Sequence, residues 1–296
     1  MSDHKEQIEG LVDRIESLPT LPVISQRIME IAGKEDSTIQ DMAYIIEKDQ
    51  ALATKLLKIA NSSFYGFLSR ISSIEHALAL LGDNEVKAIV LGASVYDFFS
   101  NGKGGVIDRG RFWKHAIICS QVARYLASHF EVRNNDALFL SGLIHDMGKV
   151  VLDQYLHEEF VQIVDYIASE HTSFSKAEKK IIGTTHYQIG AKILKQWKFP
   201  NHVTMQVFYH HAPWYDKNDP VHSIIIYLAN IFTKACGYTC HPDEKNLDLK
   251  KLAESPEMAF VVKSGFDLDY DSMKKLITNI QEYILNENDN VMRLFD

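Results

Sequence analysis

Apolar residues recur three and four positions apart along most of the chain. Ile8, Leu11, Val12, Ile15 and Leu18 mark one face of an α-helix in this way. Pro19 and Pro22 interrupt the pattern, and Pro22 suits the first turn of a following helix, Val23–Ala32. Ser37 with Gln40 reads as a capping box for a helix running through Ile46. Asp49 is placed to cap "QALATKLLKIA", which ends in the turn "NSSFYG". "SSIEHALALLG" begins on a serine cap and stops at Gly82, and Asp83 opens "NEVKAIVLGASVYDFF". No segment shows the two-residue alternation of a half-buried strand. The first hundred residues therefore predict a bundle of five or six short helices.

"SNGKGGVIDRG" follows a helix rather than a strand and lacks a Gly-Lys-Ser/Thr ending, so it reads as a linker and not as a phosphate loop. Helical periods then resume. "RFWKHAIICSQVARYLASHF" predicts a long helix, and "DALFLSGLIHDMGKVVLDQYL" predicts another after a turn. Ser175 with Glu178 reads as a capping box for "KAEKKII". "HYQIGAKILKQW", "VTMQVFYHH", "HSIIIYLANIFTKACG" and "DSMKKLITNIQEYIL" complete the set. The expected fold class is all-α. Residues 1–100 form an N-terminal helical bundle subdomain and 101–110 a linker. Residues 111–240 form a second helical subdomain, and 241–296 a C-terminal helical extension.

Composition narrows the function classes. A chain of 296 residues with 46% hydrophobic content has enough apolar material for one large domain or two small ones. The 31 basic and 39 acidic residues give a net charge of −8, with no basic run, so no nucleic-acid footprint is expected. The N-terminus "MSDHKEQIEG" does not read as a signal peptide, and the apolar stretches are too short to span a membrane. Cys119, Cys236 and Cys240 do not make a disulfide framework. These features predict a soluble protein of a reducing cytoplasm, with no membrane partner.

The chemistry is concentrated in "LSGLIHDMGKVV". It places His145, Asp146 and Lys149 inside an apolar run, where each costs free energy unless it finds a partner. Alone, the trio also suits a capped helix end with a His–Asp hydrogen bond and a surface lysine. Four more histidines sit among apolar neighbours. They are His115 in "FWKHAIICSQVA", His186 at the start of "HYQIGAKIL", and the adjacent His210 and His211. Mixed imidazole and carboxylate sets suit Fe, Mn or Zn. "CGYTCH" lacks the ligands of a full zinc site and reads as a helix end and loop. Trp113, Trp197 and Trp214 read as packing aromatics. The other histidines show no partner pattern; His222, near the start of the helix that carries Asn230, is the one to watch.

The order His115, His145-Asp146 with Lys149, His186, then His210-His211 resembles the HD metal-dependent phosphohydrolase superfamily. "HDMGK" and the double histidine are especially similar to its HD-GYP phosphodiesterase branch. "LPTLPVISQRIMEIA", "IIEKDQALATKLLKIANSSFYG" and "ISSIEHALALLGDNEVKAIVLG" resemble the N-terminal helices of the HDOD domain, and the likeness covers roughly residues 18–237. The resemblance makes 111–240 an HD-like subdomain. It implies one or two divalent ions held by His115, His145, Asp146, His186, His210 and His211. It also makes Asp146 and Lys149 the catalytic positions, Lys149 as a phosphate contact. Asn230 stands where the superfamily places a last aspartate ligand, Arg111 stands where the HD-GYP branch can place a glutamate, and "APWYDKNDP" replaces the GYP motif. The implied role is a bacterial cytoplasmic signalling or regulatory protein with a retained metal site. Its partner would be a signalling protein or a nucleotide ligand. The alternative is an active metal-dependent phosphohydrolase acting on a nucleotide or phosphodiester.

Overall fold

A computed structural model describes residues 23–32, 38–61, 65, 67, 69–100, 105–133, 137–244 and 248–291. Its elements begin with α1 (Val23–Ala32), α2 (Ile39–Glu47), α3 (Gln50–Ala60), α4 (Ile74–Leu81) and α5 (Asp83–Ser100). Then come α6 (Arg109–His129), α7 (Leu138–Ile144), α8 (Met147–Tyr155), α9 (His157–Glu170), α10 (Phe174–Ile181), α11 (His186–Gln196) and α12 (Asn201–Tyr209). After a short 3-10 turn, Pro213–Tyr215, the chain continues with α13 (Pro220–Ala235), α14 (Leu249–Ala253), α15 (Pro256–Lys263) and α16 (Tyr270–Val291). No strand occurs among the described residues, and no helix there is long and apolar enough to cross a membrane.

Local chemistry accounts for the boundaries. The Asp49 carboxylate accepts from Leu52 N at 3.0 Å and starts α3. Ser73 accepts from His76 N at 3.1 Å to start α4, which ends at Gly82 with φ +82°. The expected Ser37–Gln40 box is replaced by one residue on: Thr38 accepts from Asp41 N and Asp41 accepts from Thr38 N. A carboxylate in the first turn also complements the helix dipole, which the Gln40 amide would not. The Ile8–Leu18 helix and much of "NSSFYG" lie outside the described residues. So does the start of the glycine-rich linker. Its end is anchored, because Asp153 of α8 accepts from Val106 N at 2.8 Å and meets Arg109 Nη2 at 3.1 Å.

α6 is the central helix. Burial along nearly its whole length marks a helix enclosed on all sides. Phe112, Trp113, Ala116 and Ile117 belong to an apolar core that runs from α1 through α5 and on through α7 to α12. Ile118, Cys119, Val122 and Leu126 belong to a second core, shared with α13, α15 and α16. Trp113 packs against Tyr96 at 4.7 Å and Trp197 against Phe98 at 5.6 Å, in keeping with a packing role.

Two predicted helices are corrected. "DALFLSGLIHDMGKVVLDQYL" is not continuous: it divides into α7 and α8, with His145 and Asp146 at the junction. The Ser175–Glu178 box does not form. Ser173 occupies the N-cap of α10, and Glu178 is fully buried. The His186 main-chain N and ring Nδ1 both meet its carboxylate, a stronger draw than its own helix terminus.

Beyond the break at His145 and Asp146, α8 lies hard against α11. A Cβ on Gly148 would lie 1.9 Å from the His186 carbonyl oxygen. The glycine of "HDMGK" is therefore required by backbone contact. Gly148→Ala is expected to lower stability by about 1–3 kcal/mol through overpacking, read as a reduced urea midpoint with an unchanged slope.

Candidate metal centre

The candidate histidines come from four places in the fold, and most sit at helix ends. His115 lies on the buried interior of α6. His145 is the C-cap of α7, and its Nδ1–H donates to the Gly142 carbonyl at 2.7 Å. His210 repeats the device as the C-cap of α12, donating to the Val207 carbonyl at 2.7 Å. In both, the imidazole takes up a carbonyl that the terminating helix leaves unpaired. His115 Nδ1 donates to the Tyr238 carbonyl at 2.8 Å. His186, the first residue of α11, directs Nδ1 at Glu178 at 2.8 Å.

A carbonyl oxygen only accepts, so Nδ1 of His115, His145 and His210 carries a hydrogen and Nε2 is the atom left to face the centre. In His115 and His210, which stay neutral, that Nε2 presents a lone pair. The Nε2 atoms of His115 and His145 face each other at 3.3 Å. Those of His186 and His211 do so at 3.1 Å. At that separation a hydrogen on one nitrogen, or a metal ion between the two, must join each pair.

Asp146 joins the two halves. Oδ2 lies 3.4 Å from His145 Nε2 and 3.7 Å from His115 Nε2. Oδ1 lies 3.1 Å from His186 Nε2 and 3.5 Å from His210 Nε2. The described residues thus form two sets with metal-ligand spacing, His115–His145–Asp146 and Asp146–His186–His210–His211, which share the one carboxylate.

The donor set fits a divalent metal. Asp146 Oδ1 and His210 Nε2 are buried and without a hydrogen-bond partner, although burying such groups unpaired is costly. Burial would raise the Asp146 carboxyl, but Lys149 and then His145 hold it well below the usual carboxylate range. Burial would also lower His145 and His186. Asp146 outweighs burial at His145 and raises it to about 10, and Glu178 outweighs it at His186, so a metal ion at either ring would take the place of a proton. Burial pushes His115 and His210 down to about 3, so both stay neutral, as ligands must.

Lys149 is not the surface lysine that its sequence position allows. It is 1% exposed. Its Nζ lies 2.7 Å from Asp146 Oδ2, 3.0 Å from Cys240 Sγ and 3.4 Å from Glu244 Oε1. The Phe174 ring covers it at 4.5 Å. Asn230 is buried on α13 with its Oδ1 unpaired, and no hydrogen bond from that oxygen ties it to the cluster. His222 pairs with Asp219 and the Arg133 carbonyl instead.

Three contributors escape the sequence reading. Glu178 has the spacing of a cap residue, and only burial reveals its hold on His186. "CGYTCH" reads as a loop, yet it supplies the Tyr238 carbonyl and the buried Cys240. Glu244 follows in a polar stretch that gives no signal of a buried carboxylate.

Buried imidazoles on helix ends, organised around one shared carboxylate, define an all-helical protein of the HD type. The chain belongs to the HDOD domain family, whose description matches residues 18–213. An HDOD domain protein with unknown function from Geobacter sulfurreducens superposes with a TM-score of 0.77 at 24% identity, covering 99% of both chains. A Shewanella amazonensis SB2B protein, named as a candidate phosphohydrolase, gives 0.75 at 17% identity, covering 97% of this chain and 98% of that one. An uncharacterized protein of Treponema pallidum (strain Nichols) is 25% identical over 211 residues, which are 68% of this chain and 39% of that protein. Another, YuxH of Bacillus subtilis (strain 168), is 28% identical over 132 residues, 45% of this chain and 30% of that one. The chain therefore matches well under half the length of these two relatives.

Glu178→Gln removes the carboxylate behind His186 while keeping the side chain's shape. It is expected to weaken metal binding by about 10–100-fold, read by competition with a chelating dye, with helix content unchanged. Chelation of wild-type protein is expected to lower its melting temperature, because the ions bind the folded state. The same treatment should leave Asp146→Ala unmoved.

Proposed function

We propose that the chain is an HDOD-type signalling or regulatory protein of a bacterial cytoplasm, and that it holds one or two divalent ions of Fe, Mn or Zn. Its candidate ligands are His115, His145, Asp146, His186, His210 and His211. Asn230 is a weaker candidate, because a neutral amide oxygen binds less strongly than a carboxylate. The observation that carries the regulatory reading is the closure of Lys149. The cation best placed to meet a phosphoryl oxygen is engaged by Asp146, Cys240 and Glu244 instead. A site closed in this way suits a metal that holds helices together or senses a ligand. The partner would be a signalling protein or a nucleotide.

The second reading is a phosphohydrolase acting on a nucleotide or phosphodiester. It is favoured by Asp146, whose two oxygens face separate imidazole sets. Bound divalent ions would supply Lewis acidity toward a phosphoryl oxygen. Asp146 would hold the two sets in register, and the apolar walls of α7 and α8 would exclude water. Lys149, once released, would offset negative charge on the phosphoryl oxygens.

Elemental analysis after gel filtration, on protein purified without added metal, tests the shared premise; metal-free protein would remove both readings. A panel of cyclic and linear nucleotides with Mn or Fe(II), under anaerobic conditions, separates them. The regulatory reading expects bound metal without turnover. Turnover abolished by both Asp146→Ala and Lys149→Ala, with metal retained in the second variant, would establish the enzyme. Asn230→Asp is expected to raise metal affinity.

A further inference from the structure

The segment that follows α13 brings its own anion to the edge of the centre. Glu244 Oε1 lies 3.4 Å from Lys149 Nζ, and Oε2 lies 3.2 Å from Lys234 Nζ. The Glu244 side chain is only 7% exposed. The two lysines belong to different helices, α8 and α13, yet their ammonium groups converge on the two oxygens of one carboxylate. The Cys240 thiol completes the ring, 2.7 Å from Oε1 and 3.0 Å from Lys149 Nζ. Two cations each facing one oxygen of an anion also suit the oxygens of a phosphate group.

Charge balance indicates which anion the pair favours. Lys149 and Lys234 are offset by Asp146 and Glu244. Each divalent ion added beside Asp146 brings two further positive charges and engages the carboxylate that neutralises Lys149. The site is then left with excess positive charge next to two partly or fully buried ammonium groups. An anion carrying more charge than a carboxylate is favoured there, because the low local polarity strengthens each interaction.

We propose that Lys149 and Lys234 form a phosphate-binding subsite beside the metal centre, and that Glu244 is its internal competitor, displaced when a phosphate-bearing ligand enters. Glu244 lies outside the helices, so it can withdraw without unfolding one. The cations stay in place on α8 and α13. This rests on the phosphate contact proposed above for Lys149 and adds Lys234 as its second cation and Glu244 as its gate.

The test uses the full chain and Glu244→Gln, titrated calorimetrically with inorganic phosphate and with adenosine monophosphate, with metal content measured on the same samples. Glu244→Gln is expected to bind phosphate about tenfold or more tightly than the wild type. Adding Lys234→Gln should abolish that gain. Melting curves give a second readout: Glu244→Gln should melt below wild type in chloride and recover in phosphate. Equal phosphate affinity in wild type and Glu244→Gln would overturn the proposal, as would a gain that survives Lys234→Gln. Samples without metal would remove the metal reading and the charge argument drawn from it; the lysine pair then stands or falls on whether Glu244→Gln gains phosphate affinity through Lys234.

Discussion

A single buried carboxylate organises this molecule. Asp146 is enclosed in an apolar interior, with imidazole nitrogens facing both of its oxygens. The hydrogen bonds behind those imidazoles turn their Nε2 atoms inward. Neutral rings so arranged and a buried anion are mutually unfavourable without positive charge at the centre, whether protons or metal. A divalent ion supplies that charge and partners for the orphaned atoms. Lys149 supplies part of it from one side.

This constraint explains features that otherwise look unrelated. The helix breaks after Ile144 because His145 and Asp146 must leave the helical path to face the centre, and the Gly142 carbonyl freed by the break holds the His145 ring. Gly148 has no side chain because α11 must come close enough to place His186. Glu178 faces inward because His186 needs an acceptor behind Nδ1. The tail after α13 folds over the centre because His115 needs the Tyr238 carbonyl and Lys149 needs Glu244. The two apolar cores meet along α6, which keeps His115 fixed while helices far apart in sequence deliver the rest.

Much of the frame was legible in the sequence because helices obey local rules. Val23–Ala32 and Gln50–Ala60 follow from apolar spacing and an aspartate cap, both set within a few residues. The order of histidines also pointed to one centre. What remained hidden depends on partners distant along the chain. Glu178 and His186 are 8 residues apart, and Lys149 and Glu244 are 95 apart. A buried Glu and a capping Glu have the same local sequence, so spacing favoured the cap. Lys149 read equally well as a surface lysine, because nothing in "HDMGK" reveals that a later loop will cover it.

The most direct test of the central claim is anomalous X-ray diffraction, at metal absorption edges, from crystals of protein purified without chelator. The account predicts an anomalous peak coordinated by Asp146 together with the Nε2 atoms of His115 and His145. A second peak is expected between Asp146 and the Nε2 atoms of His186, His210 and His211 if the second set is filled. A well-ordered site with no peak, in which those nitrogens reach Asp146 by direct hydrogen bonds, would contradict it.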